Sequence, residues 1–366
     1  AYTLTRGNPT FKDQANTILT DQLNLRVDFA TGSVQHNLST GLEFTREEQQ
    51  LRGQAAINRS TWTPANLYNP DINATGLSWA HNGADSEGKT TTSSLYHFDT
   101  LKFSESFLVT AGLRLDDYTT DYFAVAPCTT TLPVPRGGVT CPGGVANGSI
   151  VTTTDTDASD TLFNWKLGAV YKVGDAVSLY ANYALSQQPP GGNNFQLSTV
   201  DGNVNNPNLD PQKARTFEVG TKWNLLDDKL LATAAVFQTT KDDVMEGADY
   251  DTEGTFNTGK NRVRGIELGL ASDRPGRFDW FTNYSFVRAT YRSAVDLFNG
   301  AANEADPGTP GTLGVRPGDR LPGVPSHLFK AGVRWHVDDR LAVGTSLNVV
   351  ASQFLRGDEA NNERKL

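Results

Sequence analysis

The sequence predicts an all-β chain, an antiparallel transmembrane β-barrel with short turns at one end and long loops at the other. Three observations predict it. Apolar and polar residues alternate over twelve segments, tight turns and long polar linkers join those segments in strict alternation, and no apolar run approaches the ~18 residues of a membrane helix. A period of two is what a strand with two different faces requires. One face would contact lipid and the other would line a lumen.

The segments follow in order. Leu23, Leu25, Val27 and Phe29 alternate with Asn24, Arg26 and Asp28; after Thr31-Gly32-Ser33 come Val34, His36, Leu38, Leu42 and Phe44 against Gln35, Asn37, Ser39 and Glu43. Residues 96–103 precede Ser104-Glu105-Ser106, and Phe107, Val109, Ala111, Leu113 and Leu115 then alternate with Thr110, Gly112, Arg114 and Asp116. Segments 163–173 and 177–185 flank Gly174-Asp175-Ala176, segments 217–225 and 230–240 flank Asp227-Asp228, and segments 263–271 and 278–290 flank Asp273-Arg274-Pro275-Gly276. The last pair, 327–337 and 341–354, flanks Asp338-Asp339. These connections carry the Gly, Asp, Ser and Pro that hairpin turns need. The linkers at 47–89, 119–161, 186–216, 241–262 and 291–326 are rich in Gly, Pro, Asn, Asp and Thr. Loops of that length count against a compact domain unless one end of the architecture is given over to them, as in an outer-membrane barrel. A soluble β-sandwich also alternates, but it does not explain mid-strand Arg, Lys, Glu and Asp, nor aromatics such as Trp223, Trp280, Tyr284, Phe286, Trp335 and Phe354 near strand ends.

Composition narrows the function. Lys and Arg number 32 against 41 Asp and Glu, giving −9, with no dense basic tract, which argues against a nucleic-acid surface. The two cysteines, Cys128 and Cys141, flank a Pro/Gly/Thr-rich stretch; a disulfide there would contribute about 3 kcal/mol and fits an oxidising compartment. There is no Walker loop, dinucleotide fingerprint, HExxH or GxSxG elbow, so no enzyme is expected. The five histidines lack metal-ligand spacing, and the acidic stretch from Asp242 to Glu253 begins like a calcium loop but has Lys260 where the closing Glu belongs. Neither a metal nor a cofactor is expected.

A family resemblance rests on specific motifs. Asn206-Pro207-Asn208-Leu209-Asp210-Pro211-Gln212-Lys213, then Thr216-Phe217-Glu218-Val219-Gly220-Thr221-Lys222-Trp223, Asp227-Asp228-Lys229-Leu230 and Ala234-Ala235-Val236-Phe237 resemble a passage crossing two strands in the TonB-dependent outer-membrane receptors, with Gln212 where Glu is usual. Arg264-Gly265-Ile266-Glu267-Leu268-Gly269, Gly112 to Asp116, Gly318 to Pro325 with His327, and Phe354 to Asn361 are similar to the same family. The resemblance implies a bacterial outer-membrane location and a 22-stranded barrel, of which these residues supply about twelve strands within one barrel domain. It also implies an N-terminal plug domain, an energy-coupling box and further C-terminal strands outside the residues given. The implied function is energy-coupled import of a ferric siderophore or similar scarce metal chelate. The implied partners are that chelate, the TonB complex through a segment not in this chain, and outer-membrane lipid. A passive porin-like channel and a soluble glycan-binding β-sandwich are the alternatives.

Capture of an anionic iron chelate calls for aromatic platforms and cations on the long loops or at the loop-side strand ends. The residues of that type are Trp62, Tyr68, Trp79, Tyr122, Phe123, Gln187, Gln188, Phe195, Tyr250, Arg288, Tyr291 and Arg292. Glu218, Glu267, Arg114 and Arg334 lie opposite apolar neighbours and are expected in the lumen wall, the glutamates paired with Arg or Lys of adjacent strands.

Overall fold

A computed structural model describes residues 3–4, 12–131, 139–190, 195–200, 203, 205–244, 259–272, 277–299, 311–355 and 360–362. Twelve long strands run through them: β1 (Asp13–Thr31), β2 (Val34–Ile57), β3 (Ser78–Lys102), β4 (Phe107–Thr129), β5 (Ile150–Val173), β6 (Val177–Gln188), β7 (Gln212–Leu225), β8 (Leu230–Val244), β9 (Gly259–Ser272), β10 (Phe278–Tyr291), β11 (His327–His336) and β12 (Ala342–Val350). Each is antiparallel to the next, so the sheet is a simple meander from β1 to β12. The other two sheets among the described residues are two-stranded, with strands of 2 and 5 residues, too small to form the second layer of a sandwich. All twelve predicted segments fall on these strands. The turn at 273–276 lies outside the described residues.

The turns obey local chemistry. Gly32 and Gly174 supply a positive φ, and at the β7–β8 turn Leu226, Asp227 and Asp228 all adopt it. Asp tolerates that region because its short side chain can bond locally.

The predicted linkers at 47–89 and 119–161 need correction. Strands β2, β3, β4 and β5 are 24, 25, 23 and 24 residues long and absorb most of both. At ~3.3 Å per residue they are about 80 Å long, whereas the apolar band of such a barrel is about 25 Å tall. Beyond that band water meets both faces, so alternation disappears while the hydrogen-bonded ladder continues. The Thr-rich runs at 90–92 and 152–154 belong to these extensions, and β-branched Thr suits a strand.

Register fixes the faces, because residues directly opposite in an antiparallel pair share one. Val219 is opposite Val236, Val236 opposite Ile266, and Ile266 opposite Phe286. Phe217, Val219, Val236, Ile266 and Leu268 are each at least 40% exposed, and this is the lipid-facing side. At its turn end Trp223, Phe278, Trp280 and Trp335 form an aromatic girdle, with Phe278 and Trp335 stacked 6.3 Å apart.

The inward side carries a cross-strand pattern that the sequence reading did not anticipate. Gly41 lies opposite Tyr96, Gly112 opposite Phe98, Gly220 opposite Tyr180, Gly265 opposite Phe237, and Gly332 opposite Phe281. In each pair the ring lies where a glycine Cβ would stand. An aromatic covering a strand glycine restores the packing that the missing side chain forfeits. Replacing Gly220 by Val is expected to destabilise the barrel by about 1–3 kcal/mol through overpacking. Adding Tyr180→Ala should recover part of that loss, as read from denaturant midpoints in detergent.

Candidate functional site

The inner wall of β2–β5 is held by an ion-pair network. Arg114 donates from Nη2 to Glu43 Oε1 at 2.8 Å and to Ser94 Oγ at 2.9 Å, and from Nε to Asp116 Oδ1 at 2.7 Å. Ser94 donates to Asp116 at 2.7 Å, and Asn164 donates to the other carboxylate oxygen at 3.1 Å. The guanidinium also sits 5.9 Å from the Tyr96 ring centroid. Arg114 lies on the inward face of β4, opposite Tyr96. Glu218 and Glu267 also face inward, but among the described residues neither forms an ion pair; Tyr180 lies within reach of both. The predicted Arg or Lys partners are absent there because the inward residues opposite are uncharged: Glu218 meets Asn182 and Phe237, and Glu267 meets Ala235 and Ser285. Arg334 faces inward opposite Asp279, which instead pairs with His336 at 2.6 Å.

The proposed ligand residues divide into several groups. Tyr122 is inward and directly opposite Gly88, and the backbone and Cβ of Phe195 press on that same glycine. The β6–β7 connection thus folds back against the tall wall of β3 and β4, with Leu197, Asn206 and Leu209 buried along it. Gln188 is inward opposite Gln212, whereas Gln187 takes the other face and binds the Phe163 carbonyl. Trp62 is buried with its indole donating to the Ile57 carbonyl at 3.1 Å, a loop-packing role. Tyr68 and Trp79 are exposed on and beside the β2–β3 connection, at 76% and 50%. Phe123 takes the outward face beside inward Tyr122. Tyr250 lies outside the described residues.

Arg288 and Tyr291 require a different account from the one the sequence suggested. Arg288 lies opposite Arg264, in line with lipid-facing Phe286 and Ile266, so it points away from the lumen. Arg292 continues the same outward alternation, its backbone N–H bonded to the Lys260 carbonyl at 2.7 Å. Tyr291 is buried with Val315, the last residue of the paired segments Val295–Asn299 and Gly311–Val315, and partly buried Leu321 packs against them.

Two other features went unpredicted. Arg320 donates to the Val287 carbonyl at 3.1 Å and Ser326 Oγ at 2.9 Å, while its backbone exchanges hydrogen bonds with the Asn361 side chain. The backbone N–H of Gly323 binds the Phe354 carbonyl at 2.9 Å, so two of the family-like motifs, far apart in sequence, dock on each other. Cys128 and Cys141 form a disulfide with Cα atoms 4.8 Å apart, pinning Val139–Thr140 to the tip of β4. No group of residues suited to a metal ion occurs among the described residues.

A twelve-stranded antiparallel meander with short turns at one end, a lipid-facing apolar belt and a charged inner wall is part of an outer-membrane β-barrel. The model for the TonB dependent receptor-like β-barrel matches residues 1–365, and the chain belongs to that family. It is 38% identical over 352 residues to the catecholate siderophore receptor Fiu of Escherichia coli, covering 95% of this chain and 43% of that protein. The closed-form crystal structure of the ferric-catecholate import receptor Fiu from E. coli K12 superposes with a TM-score of 0.78 at 39% identity, over 93% of this chain and 45% of that one. The siderophore receptor PiuA of Acinetobacter baumannii shares the fold, with a TM-score of 0.73 at 22% identity, over 95% of this chain and 47% of that one. The chain thus spans less than half the length of these relatives.

Removing the central cation of the inner network leaves the Glu43 and Asp116 carboxylates without their ion-pair partner. Arg114→Met is therefore expected to destabilise the receptor by about 1–3 kcal/mol, read as earlier loss of heat-modifiable migration on gels, while Arg114→Lys loses less.

Proposed function

We propose that the receptor to which this chain belongs imports ferric catecholate siderophores across the outer membrane, coupled to TonB. The observation that carries this reading is the 38% identity to the catecholate siderophore receptor Fiu, sustained over 95% of the chain. The geometry is compatible with it. A catecholate iron complex is anionic and presents planar rings, and Tyr122 and Phe195 offer aromatic surface at the inner rim, where stacking contributes about 0.5–1.5 kcal/mol per ring pair. Inward Gln188 adds a polar group at the upper end of β6, and exposed Tyr68 and Trp79 supply further aromatic surface on the loop side. A plug and coupling segment in the rest of the receptor would make the passage gated instead of open.

The test is uptake of radioactive iron bound to 2,3-dihydroxybenzoate by cells whose only catecholate receptor is the full-length protein. Accumulation that needs TonB is expected, and accumulation no greater than in receptor-free cells would overturn the reading. The double variant Tyr122→Ala/Phe195→Ala should bind the same complex about tenfold more weakly by tryptophan-fluorescence quenching, near the sum of two lost ring contacts.

A further inference from the structure

The outward face of β7–β10 carries a concentration of cations that the import reading does not use. Alternation and register place Lys213, Arg215, Lys260, Arg262, Arg264 and Arg288 on the side that holds Phe217, Ile266 and Phe286. Asp242 pairs with Arg215 and with Lys260, and Asp243 with Lys213 at 3.0 Å. Arg262, Arg264 and Arg288 have no ion-pair partner among the described residues. Arg262 nevertheless lies within electrostatic reach of Arg264, Arg288 and Arg292, all of like charge. Such a cluster costs energy through self-repulsion, and in a chain of net charge −9 it is not an average of composition.

Its height is informative. Arg288 stands about ten residues above Phe278, which is in the girdle at the turn end. At ~3.3 Å per residue and a strand tilt of about 40°, that is about 25 Å, the full height of the apolar band. The cations therefore form a collar at the outer edge of the hydrocarbon, where the headgroups of outer-leaflet lipids lie. At the corresponding outward positions of β4 and β5 stand Asp117, Asp121 and Asp157.

We infer that this collar is a docking surface for a phosphate-bearing lipid headgroup of the outer leaflet, with Arg262, Arg264 and Arg288 binding the phosphates and the Phe217–Ile266–Phe286 surface below taking the acyl chains. Guanidinium groups match phosphate geometry bidentately, and basic pockets at membrane level bind anionic headgroups. The inference shares the membrane orientation of the import reading but not its ligand.

The experiment uses the full-length receptor in detergent, with diphosphoryl lipid A as probe and native mass spectrometry to read bound lipid. Wild type is expected to retain the probe at about tenfold lower lipid concentration than lipid A stripped of its phosphates. Arg262→Gln/Arg264→Gln/Arg288→Gln should abolish that preference, while Lys166→Gln, on the inner wall, should keep it. Binding of ferric 2,3-dihydroxybenzoate is expected to be unchanged in the triple variant, which also establishes that it has folded; Arg264→Gln alone, at an exposed position, should lose part of the preference if the triple variant does not fold. Equal retention of both lipids by wild type, or undiminished preference in the folded variants, would overturn the proposal. So would displacement of the lipid by inorganic phosphate at the same concentration, which would make this a free-phosphate site. Loss of chelate binding with lipid retention intact would assign the arginines to ligand capture instead, again overturning it without touching the import reading.

Discussion

Hydrocarbon offers no partner to a backbone N–H or C=O, and every other feature of this wall follows from that constraint. Each unsatisfied group in the bilayer core costs several kilocalories per mole, so a spanning chain of strands must pair each strand on both sides. The unbroken meander from β1 to β12 meets the requirement at every internal strand. β1 and β12 each end the sheet with an edge that meets no neighbouring strand among the described residues, and a barrel satisfies such edges by closing. The ladder also makes departures from regularity visible: the register shifts near Arg52, Ala124 and Lys241 all lie toward the loop end, where water can supply missing partners.

Once pairing is fixed, the two faces have separate tasks. The outward face is governed by solvent matching, with aliphatic residues through the middle and aromatic rings at the edge. The inward face has to be filled and wired. Glycines receive rings from the neighbouring strand, and Arg114 ties Glu43 of β2 and Ser94 of β3 to Asp116 of its own strand in one network. A charge that would be prohibitive on the outer side is stabilising here because its partners come with it, three strands at a time.

The sequence conveyed the parts of this design that depend on one strand alone. All twelve membrane-level segments, the tight turns among the described residues and the cysteine pair could be read from local pattern and spacing. Features that depend on two strands could not: Gly220 says nothing about Tyr180 until the register sets them opposite each other. The upper halves of β2–β5 read as loops in the sequence because a strand with water on both sides has no hydrophobic period, even though its hydrogen bonds are intact. Arg288 is a different kind of miss. Its alternation with Phe286 already placed it on the apolar side, and its position near a loop end outweighed that signal. Arg320 and Asn361 meet through docking of segments far apart in the chain, which no local pattern announces.

The strands are not equally tall. Those from β2 to β5 have 23 to 25 residues, while β6 to β12 have 9 to 15. In the tall sector Tyr122 lies on β4 and the Phe195 segment rests against β3, so this aromatic surface is carried by hydrogen-bonded backbone standing clear of the apolar band. Its spacing is set by strand register, where a surface built on loops alone would depend on loop conformation.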